Sequence, residues 1–551
     1  MGVYLNPGNG SFQETLNSKI YVDKTEMLSY LNTLIRTEQK YICVSRPRRF
    51  GKTMATNMIC AYYDKTADSR PLFEKYKIAK CENWDRYLNS FDVIRIVMTD
   101  FMEDVDDVKG VIDYLTEEVT AELMEANPDI KYGERINLRT VMSRIYARTK
   151  KPFVIVIDEW DAIFRTWKTD HEGQKEYLNF LRNWLKGKEY VALAYMTGIL
   201  PIKKYGEHSA LNMFDEYSMI APMQMAPYTG YTESEVKELS REFHISYEQM
   251  KKWYDGYSVS GDIPIEDRKN GAEAPVYSIY SPYSVNCCLT TGIFKSYWNN
   301  TESYEALEEY IKKDYDGLKS TIMLLMDGGR VKVDLSTYQN DMTTFTRKDD
   351  VLALLIHLGY LSYIPPTREQ ADAGEPGEVV IPNREVLEVF KSSTESDEWT
   401  PAFRNFERSQ ELLKATWDRD EKKVADLLEF FHDQSSNKTY NDEAALSYSI
   451  QLAYYAAQKY YTTVLELDSG KGYADIVYLP APEYADKPAI LVELKYDKST
   501  ETALDQIKKR NYPQRLEHYE GHMLLVGINY DRGVSNTNEG FKHHTCTIEM
   551  A

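Results

Sequence analysis

The stretch from Arg46 to Thr53, RPRRFGKT, limits what the chain can fold into more than any other. A short apolar run, Tyr41-Ile42-Cys43-Val44, precedes it, and a run without Gly or Pro, MATNMICAYYDK, follows. Strand, tight loop, Gly-Lys-Thr and helix in that order are the context of a phosphate-binding loop. Backbone N–H groups at the start of such a helix point at the phosphates, and the helix dipole favours negative charge there. Gly51 lets the backbone come close, Lys52 reaches the outer phosphates of ATP, and the Thr53 hydroxyl ligates Mg2+. Arg46, Arg48 and Arg49 stand where the phosphates pass, and they either bind nucleotide or pin the loop to a neighbouring domain. The general pattern has Gly where Arg46 stands. Taken alone, the stretch also fits a basic turn before an ordinary helix.

A second signal is Phe153-Val154-Ile155-Val156-Ile157-Asp158-Glu159. An unbroken apolar run predicts a strand buried on both faces of a parallel sheet. Two carboxylates at its C-terminal end sit where ligands bind in open α/β sheets. Asp158 is the candidate for holding Mg2+, directly or through water, and Glu159 for orienting and deprotonating the attacking water. A further strand, Tyr190–Thr197, ends at Thr197, whose hydroxyl fits a contact with the terminal phosphate or the attacking water and a strand cap equally well. Strands over 41–44, 91–101, 153–158 and 190–197 alternate with helices over Val108–Glu125 and 138–149. This predicts an α/β domain over 1–225 with a mostly parallel sheet and helices on both faces.

Length sets the domain count: 551 residues exceed one hydrophobic core, so two to four domains are expected. Residues 226–300 are aromatic and turn-rich, with a capping box at Thr232 and Glu235, and read as a helical lid or a plain packing domain. Residues 301–400 read as a connector, with an exposed loop PPTREQADAGEPGE inside a hairpin and Asn383 capping a helix. Lys+Arg 66 against Asp+Glu 86 gives a net charge of −20, which excludes a general polyanion binder and confines any DNA or RNA contact to a local basic groove. The six cysteines show no zinc spacing and read as reduced, mostly buried thiols of a cytoplasmic protein. No signal architecture opens the chain and no apolar run is long enough to span a bilayer, so no membrane association is expected.

The C-terminal stretch 401–551 carries the third signal. After helices to residue 459, YTTVLEL and YADIVYLP flank a DSGKG turn as a hairpin, and PAILVELK follows as a strand. Glu493 and Lys495 lie two apart on that strand and emerge on one face. Asp475 on the adjoining strand can bring its carboxylate to the same point. Two carboxylates and a lysine converging on a sheet make a divalent-metal site with a group to position water.

The combination VDKT, RPRRFGKT, VIVIDEWD, MTGILPI, GYTESEV, KKWYDGY and SPYSV resembles a family of predicted bacterial AAA-ATPase-like proteins, over most of the first three hundred residues. Family members normally carry Arg-Pro-Arg-Arg before the Gly-Lys, so the resemblance makes Arg46 a family trait. It implies a nucleotide-hydrolysing P-loop domain with a helical lid. Members often carry a C-terminal domain of the PD-(D/E)XK nuclease superfamily, and the Asp…Glu-x-Lys pattern is similar to that core. By that resemblance Asp475 and Glu493 bind Mg2+, Lys495 activates or orients water, and Glu443 on the preceding helix supports the metal. Gln506 and Tyr512 match residues often found after the core, whereas Tyr473 stands where relatives tend to have Arg. Lys498, Lys508, Lys509, Arg510 and Arg515 supply a local basic patch. The resulting expectation is an ATPase fused to a Mg-dependent nuclease, with ATP binding altering the nuclease site. Its rivals are a binding module without cleavage and a nucleotide-switched scaffold, and oligomer formation stays open.

Overall fold

The computed structural model describes residues 2–202, 211–263, 274–298, 303–312, 314–336, 338, 345, 347–434, 443–468, 473–497, 499–500, 503, 519, 522–532 and 542–551. Two compact units emerge: Met1–Tyr310 with Lys332–Val389, and Ile311–Val331 with Phe390–Ala551. Much of the stretch read as a connector therefore belongs to the first unit.

The first unit is built on β1 (Tyr41–Ser45), β2 (Asp92–Val97), β3 (Phe153–Asp158), β4 (Val191–Gly198) and β5 (Asp215–Tyr217), in the order β2-β3-β4-β1-β5. Every neighbouring pair is parallel. β1, β3 and β4 are buried at every position, which is why they read as unbroken apolar runs. The helix Lys52–Tyr63 packs Met58, Ile59 and Tyr62 into the core beside β1 and β3. Register aligns the strand ends: Val44 pairs with Thr197, and Thr197 with Asp158. The loop after β1 and the acidic end of β3 thus share one edge of the sheet.

The helices Val108–Glu125 and Leu138–Thr149 form where the pattern predicts them, N-capped by the side chains of Asp107 and Asn137. The strand predicted over 91–101 stops at Val97, and Met98–Phe101 forms a 3₁₀ turn. Its three-residue period buries Met98 and Phe101 together, an arrangement that strand alternation would not give. Residues 226–300 are not wholly helical. The helices Glu233–Glu242, Tyr247–Tyr254 and Pro282–Thr291 are joined by β6 (Tyr231–Thr232), β7 (Tyr257–Ser260) and β8 (Val276–Tyr280), ordered β6-β8-β7 and antiparallel. The alternating YSVS and the Tyr- and Ile-bearing VYSIY explain the strands. The Thr232–Glu235 capping box is formed. A third sheet has β9 (Val331–Val333), β10 (Ser362–Ile364) and β11 (Gly377–Val380). The predicted hairpin is β10–β11, but its tip holds a short helix, Arg368–Asp372, closed by a Thr367–Gln370 capping box.

In the second unit β12 (Tyr461–Asp468), β13 (Tyr473–Pro480), β14 (Ala489–Tyr496), β15 (Met523–Tyr530) and β16 (His544–Met550) lie side by side in chain order. Only β14 and β15 pair in parallel. The helices Thr400–Trp417, Glu421–Gln434 and Glu443–Ala453 supply a core with Val492, Leu494, Ile528 and Ile548. Val477, Leu491 and Leu525 form a separate apolar cluster with the opposite strand parity.

Gly256, in the KKWYDGY motif, has φ 113°, and a Cβ there would lie 1.8 Å from the Pro382 carbonyl oxygen. Gly187 also has positive φ, 66°, but faces open space. Gly256→Ala should therefore destabilise by well over about 1 kcal/mol, beyond the cost of left-handed backbone alone. Urea unfolding of Gly256→Ala beside Gly187→Ala checks this, and equal losses would remove the close approach as the cause.

Candidate nucleotide and nuclease sites

Gly51 takes φ 85° and caps the helix that starts at Lys52. Such a backbone angle suits Gly and lets the chain turn into the helix. The Lys52 ammonium is buried and donates to the carbonyls of Arg46 (3.1 Å) and Pro47 (2.8 Å). Burial pulls its pKa down to about 8, while Asp161, Asp158 and Glu159 draw it up and Arg165 presses it further down. Beside it lies a cleft of about 730 Å³, lined by Arg48, Arg49, Thr53, Glu159, Arg165 and Tyr283 among others. The Arg49 guanidinium lies 3.8 Å from the centre of the Tyr283 ring.

Arg46 is elsewhere. It is buried, and Nη1 donates to the carbonyls of Ser45 and Tyr217, 2.8 Å each. Burial lowers its pKa to about 10. Arg46 pins the loop, but to the ends of β1 and β5 in its own sheet rather than to a neighbouring domain, while Arg48 and Arg49 line the cleft.

Asp158 is buried at the end of β3, accepts from the Glu159 amide (3.0 Å), and has the Thr56 hydroxyl at 3.5 Å and the Thr53 hydroxyl close enough to favour its charged form. Burial raises its pKa, and the Thr53 hydroxyl and the charge of Lys52 offset only part of that rise. A hydroxyl and a carboxylate meeting beside a phosphate loop form an oxygen donor set that fits Mg2+. Glu159 has φ 53°, a conformation uncommon outside Gly, Asn and Asp, and pairs with Arg165 Nη2 at 3.1 Å. Asp161 is fully buried. Its Oδ2 accepts from the amides of Ile199 (3.1 Å) and Leu200 (2.9 Å) and from Arg165 Nε (3.2 Å). A Cβ on Gly198 would lie 2.5 Å from the Asp161 carboxylate, so this strand end needs Gly. Sequence reasoning passed over Asp161 and Arg165, although their four-residue spacing on a helix was a signal. Thr197 is buried and donates to the Val44 carbonyl (2.9 Å), the contact of a strand cap, and is not among the residues lining the cleft.

In the second unit, β13–β14 register carried one step on sets Asp475 opposite Glu493. Both share strand parity with Val477 and Leu491, so they lie on the face away from the helices Thr400–Trp417 and Glu421–Gln434. Glu493 is fully buried and Lys495 nearly so. Lys495 Nζ donates to Glu493 Oε1 (3.0 Å) and to the Leu494 carbonyl (2.9 Å), and Asp475 Oδ2 accepts from the Leu494 amide (2.6 Å). Carboxylates facing each other across neighbouring strands form a donor set that fits Mg2+. Glu443 begins its helix, but its side chain, like that of Tyr473, lies outside the described residues. So do Lys498, Gln506, Lys508, Lys509, Arg510, Tyr512 and Arg515.

The first unit is a P-loop nucleotide-binding core, and the second carries a nuclease-type mixed sheet. Residues 8–206 match the family model described as Predicted AAA-ATPase, and residues 445–539 the one described as PD-(D/E)XK nuclease superfamily. The chain therefore joins an AAA-ATPase-like domain to a domain of the PD-(D/E)XK nuclease superfamily. Among solved structures it is similar to the Aeropyrum pernix ORC2 protein in its ADPNP-ADP complexes. That match has 9% identity and a TM-score of 0.27, and covers 68% of this chain and 96% of that one. No curated protein matches. Among the described residues, no helix is long and apolar enough to cross a membrane.

Lys52 has a proton-linked consequence. Above its pKa of about 8 the nucleotide-free lysine is mostly neutral, and phosphate charge favours the ammonium. Binding ATP at about pH 9 should take up roughly one proton, and at pH 7 almost none. Calorimetric titrations in buffers of different ionisation enthalpy read this directly. Equal uptake at both values would contradict the buried, depressed lysine.

Proposed function

We propose that the first unit binds and hydrolyses ATP and that the second cleaves nucleic acid, with nucleotide state regulating cleavage. The observation that carries the ATPase half is the convergence of Lys52, Thr53, Asp158 and Glu159 at one edge of the parallel sheet. Incoming phosphates replace the Arg46 and Pro47 carbonyls as partners of Lys52. Thr53 and Asp158 would hold Mg2+, which neutralises phosphate charge when bound. Arg48 and Arg49 line the path of the phosphates. Glu159 orients the attacking water once Arg165 turns from it to the developing phosphate charge. Free cysteines and the lack of a membrane-crossing helix among the described residues support a cytoplasmic setting.

Glu159→Gln should keep ATP binding and lose about 10²–10⁴-fold in hydrolysis rate. Lys52→Ala should abolish hydrolysis with the fold intact. Binding measured by fluorescent nucleotide and turnover by phosphate release separate these effects. Lost binding in Glu159→Gln would move Glu159 to a structural or metal-holding role.

For the second unit, Asp475 and Glu493 would hold Mg2+, and Lys495 orients the water that attacks the phosphodiester. A rival reading, a nucleotide-switched scaffold with an inactive nuclease fold, draws support from the internal pairing of Lys495 with the fully buried Glu493. Purified protein with Mg2+ or Mn2+ on labelled DNA and RNA, with and without ATP, decides between them. Asp475→Ala and Glu493→Ala should abolish cleavage and weaken Mg2+ binding while ATP hydrolysis continues. Lys495→Ala should stop cleavage and spare metal binding. No cleavage by the wild type on either nucleic acid favours the scaffold.

A further inference from the structure

The second unit holds another constellation, on the opposite face of its sheet from Asp475 and Glu493. Glu429 and His432 lie three apart on the helix Glu421–Gln434 and so project from one side of it. They meet His543, which immediately precedes β16. One candidate ligand atom from each of the three lies within 4.8 Å of the others. His544 pairs with Tyr530 across β15 and β16, and Tyr530 and Ile548 belong to the core under the helices, which fixes the face.

The hydrogen bonds set the ligand chemistry. His543 Nδ1 lies 2.7 Å from the Asp531 carbonyl oxygen, which can only accept. Nδ1 therefore carries the hydrogen, and Nε2 presents its lone pair, as in a metal-binding histidine whose far nitrogen is held by a carbonyl. The His543 ring stacks on Tyr530 with centroids 5.4 Å apart and 15° between planes, which limits its rotation. His432 is buried, with its ring edge-on to that of His543 at 4.8 Å. Glu429 Oε2 accepts from the His544 ring (2.9 Å) and backbone amide (3.2 Å), and both its oxygens accept from the His543 amide. Burial alone would raise the Glu429 carboxyl, yet those bonds bring it down to about 2, so it stays an anion. His432 Nδ1 stands 3.9 Å from Glu429 Oε1, beyond hydrogen-bond range. With metal–ligand bonds of about 2.0–2.1 Å, two donors of a tetrahedral ion lie roughly 3.3 Å apart. Bringing atoms that lie up to 4.8 Å apart to that separation takes a pairwise closure of at most about 1.5 Å, within the reach of side-chain rotation.

We propose that Glu429, His432 and His543 bind a borderline divalent cation of the Zn2+ type, held apart from the nuclease centre and bracing β16 against the helix Glu421–Gln434. Two imidazoles and one carboxylate suit Zn2+ and not Mg2+, which takes oxygen ligands. His544 orients Glu429 from behind as a positioning residue. The sequence signal was faint: Glu429 and His432 show E-x-x-H spacing, but their partner lies over a hundred residues away.

The test uses the full chain carrying Asp475→Ala and Glu493→Ala, so that the nuclease centre contributes no metal. Zn2+ binding is measured by elemental analysis after dialysis, and Co2+ substitution by its visible spectrum. The expected result is one Zn2+ per chain, not displaced by excess Mg2+, with a Co2+ spectrum of low-coordinate nitrogen and oxygen ligation. His432→Ala and His543→Gln should each lose that ion, and His544→Gln should weaken it by about 10–100-fold. If a variant misfolds, the Co2+ spectrum of the histidine-intact chain still decides. Absence of stoichiometric Zn2+ there, or retention in both histidine variants, overturns the proposal. Cleavage assays are not involved, so failure here leaves the nuclease reading untouched.

Discussion

The buried ammonium of Lys52 is the constraint on which the first unit depends. A desolvated cation is costly unless hydrogen-bonded and paired, and here both conditions come from separate parts of the chain. The loop supplies two of its own carbonyls, from Arg46 and Pro47. The end of β3 and the turn after it supply Asp158, Glu159 and Asp161 as surrounding charge. Those acids reach the lysine only because β4 lies between β1 and β3 in a parallel sheet whose ends are in register. Sheet order and site electrostatics are thus one requirement. A further tie, from the Arg46 guanidinium to the Tyr217 carbonyl, extends it to β5.

The same logic recurs in the second unit. Lys495 and Glu493 are both removed from solvent, and each answers the desolvation of the other. Asp475 is held by the Leu494 amide, so the three functional groups are all referenced to one short piece of β14. A site built on adjacent strands inherits the precision of the ladder, in contrast to one built on loops. In both units the lysine is positioned by main-chain carbonyls next to carboxylates.

How legible this was depended on range. β3 and β14 declared themselves by apolar runs ending in or bearing charge, because burial on two faces leaves no room for polar residues except at function. Gly51, Lys52, Thr53, Asp158 and Glu159 follow from local spacing and fall together in space. Arg46 shows the limit: its position in the motif suggested phosphate contact among its possible roles, and only tertiary packing against Tyr217 assigns it to pinning. Asp161 and Arg165 carried only a four-residue acid–base spacing, which marks an ion pair at a helix and does not by itself mark a nucleotide site. β15 and β16 were missed although MLLVGINY is apolar over its first six residues, since nothing local says with what it pairs. The antiparallel sheet within 226–300 was hidden by aromatic residues that suit helix and strand packing alike.

Glu159 joins these threads. Its left-handed backbone is a strained state that persists only if the surroundings over-determine it. Its neighbours do so: the Glu159 amide is committed to Asp158, and its carbonyl accepts from the Ala162 amide at the start of the following helix. Its side chain is engaged by Arg165, which Asp161 anchors from the buried side. Asp161 in turn holds the amides of Ile199 and Leu200 just beyond β4. Through that carboxylate, the orientation of Glu159 at the end of β3 is tied to the chain leaving β4. A shift at either strand end must therefore be felt at Glu159, the residue proposed to orient water, which makes the Asp161–Arg165–Glu159 chain a mechanical link between the sheet and its cleft.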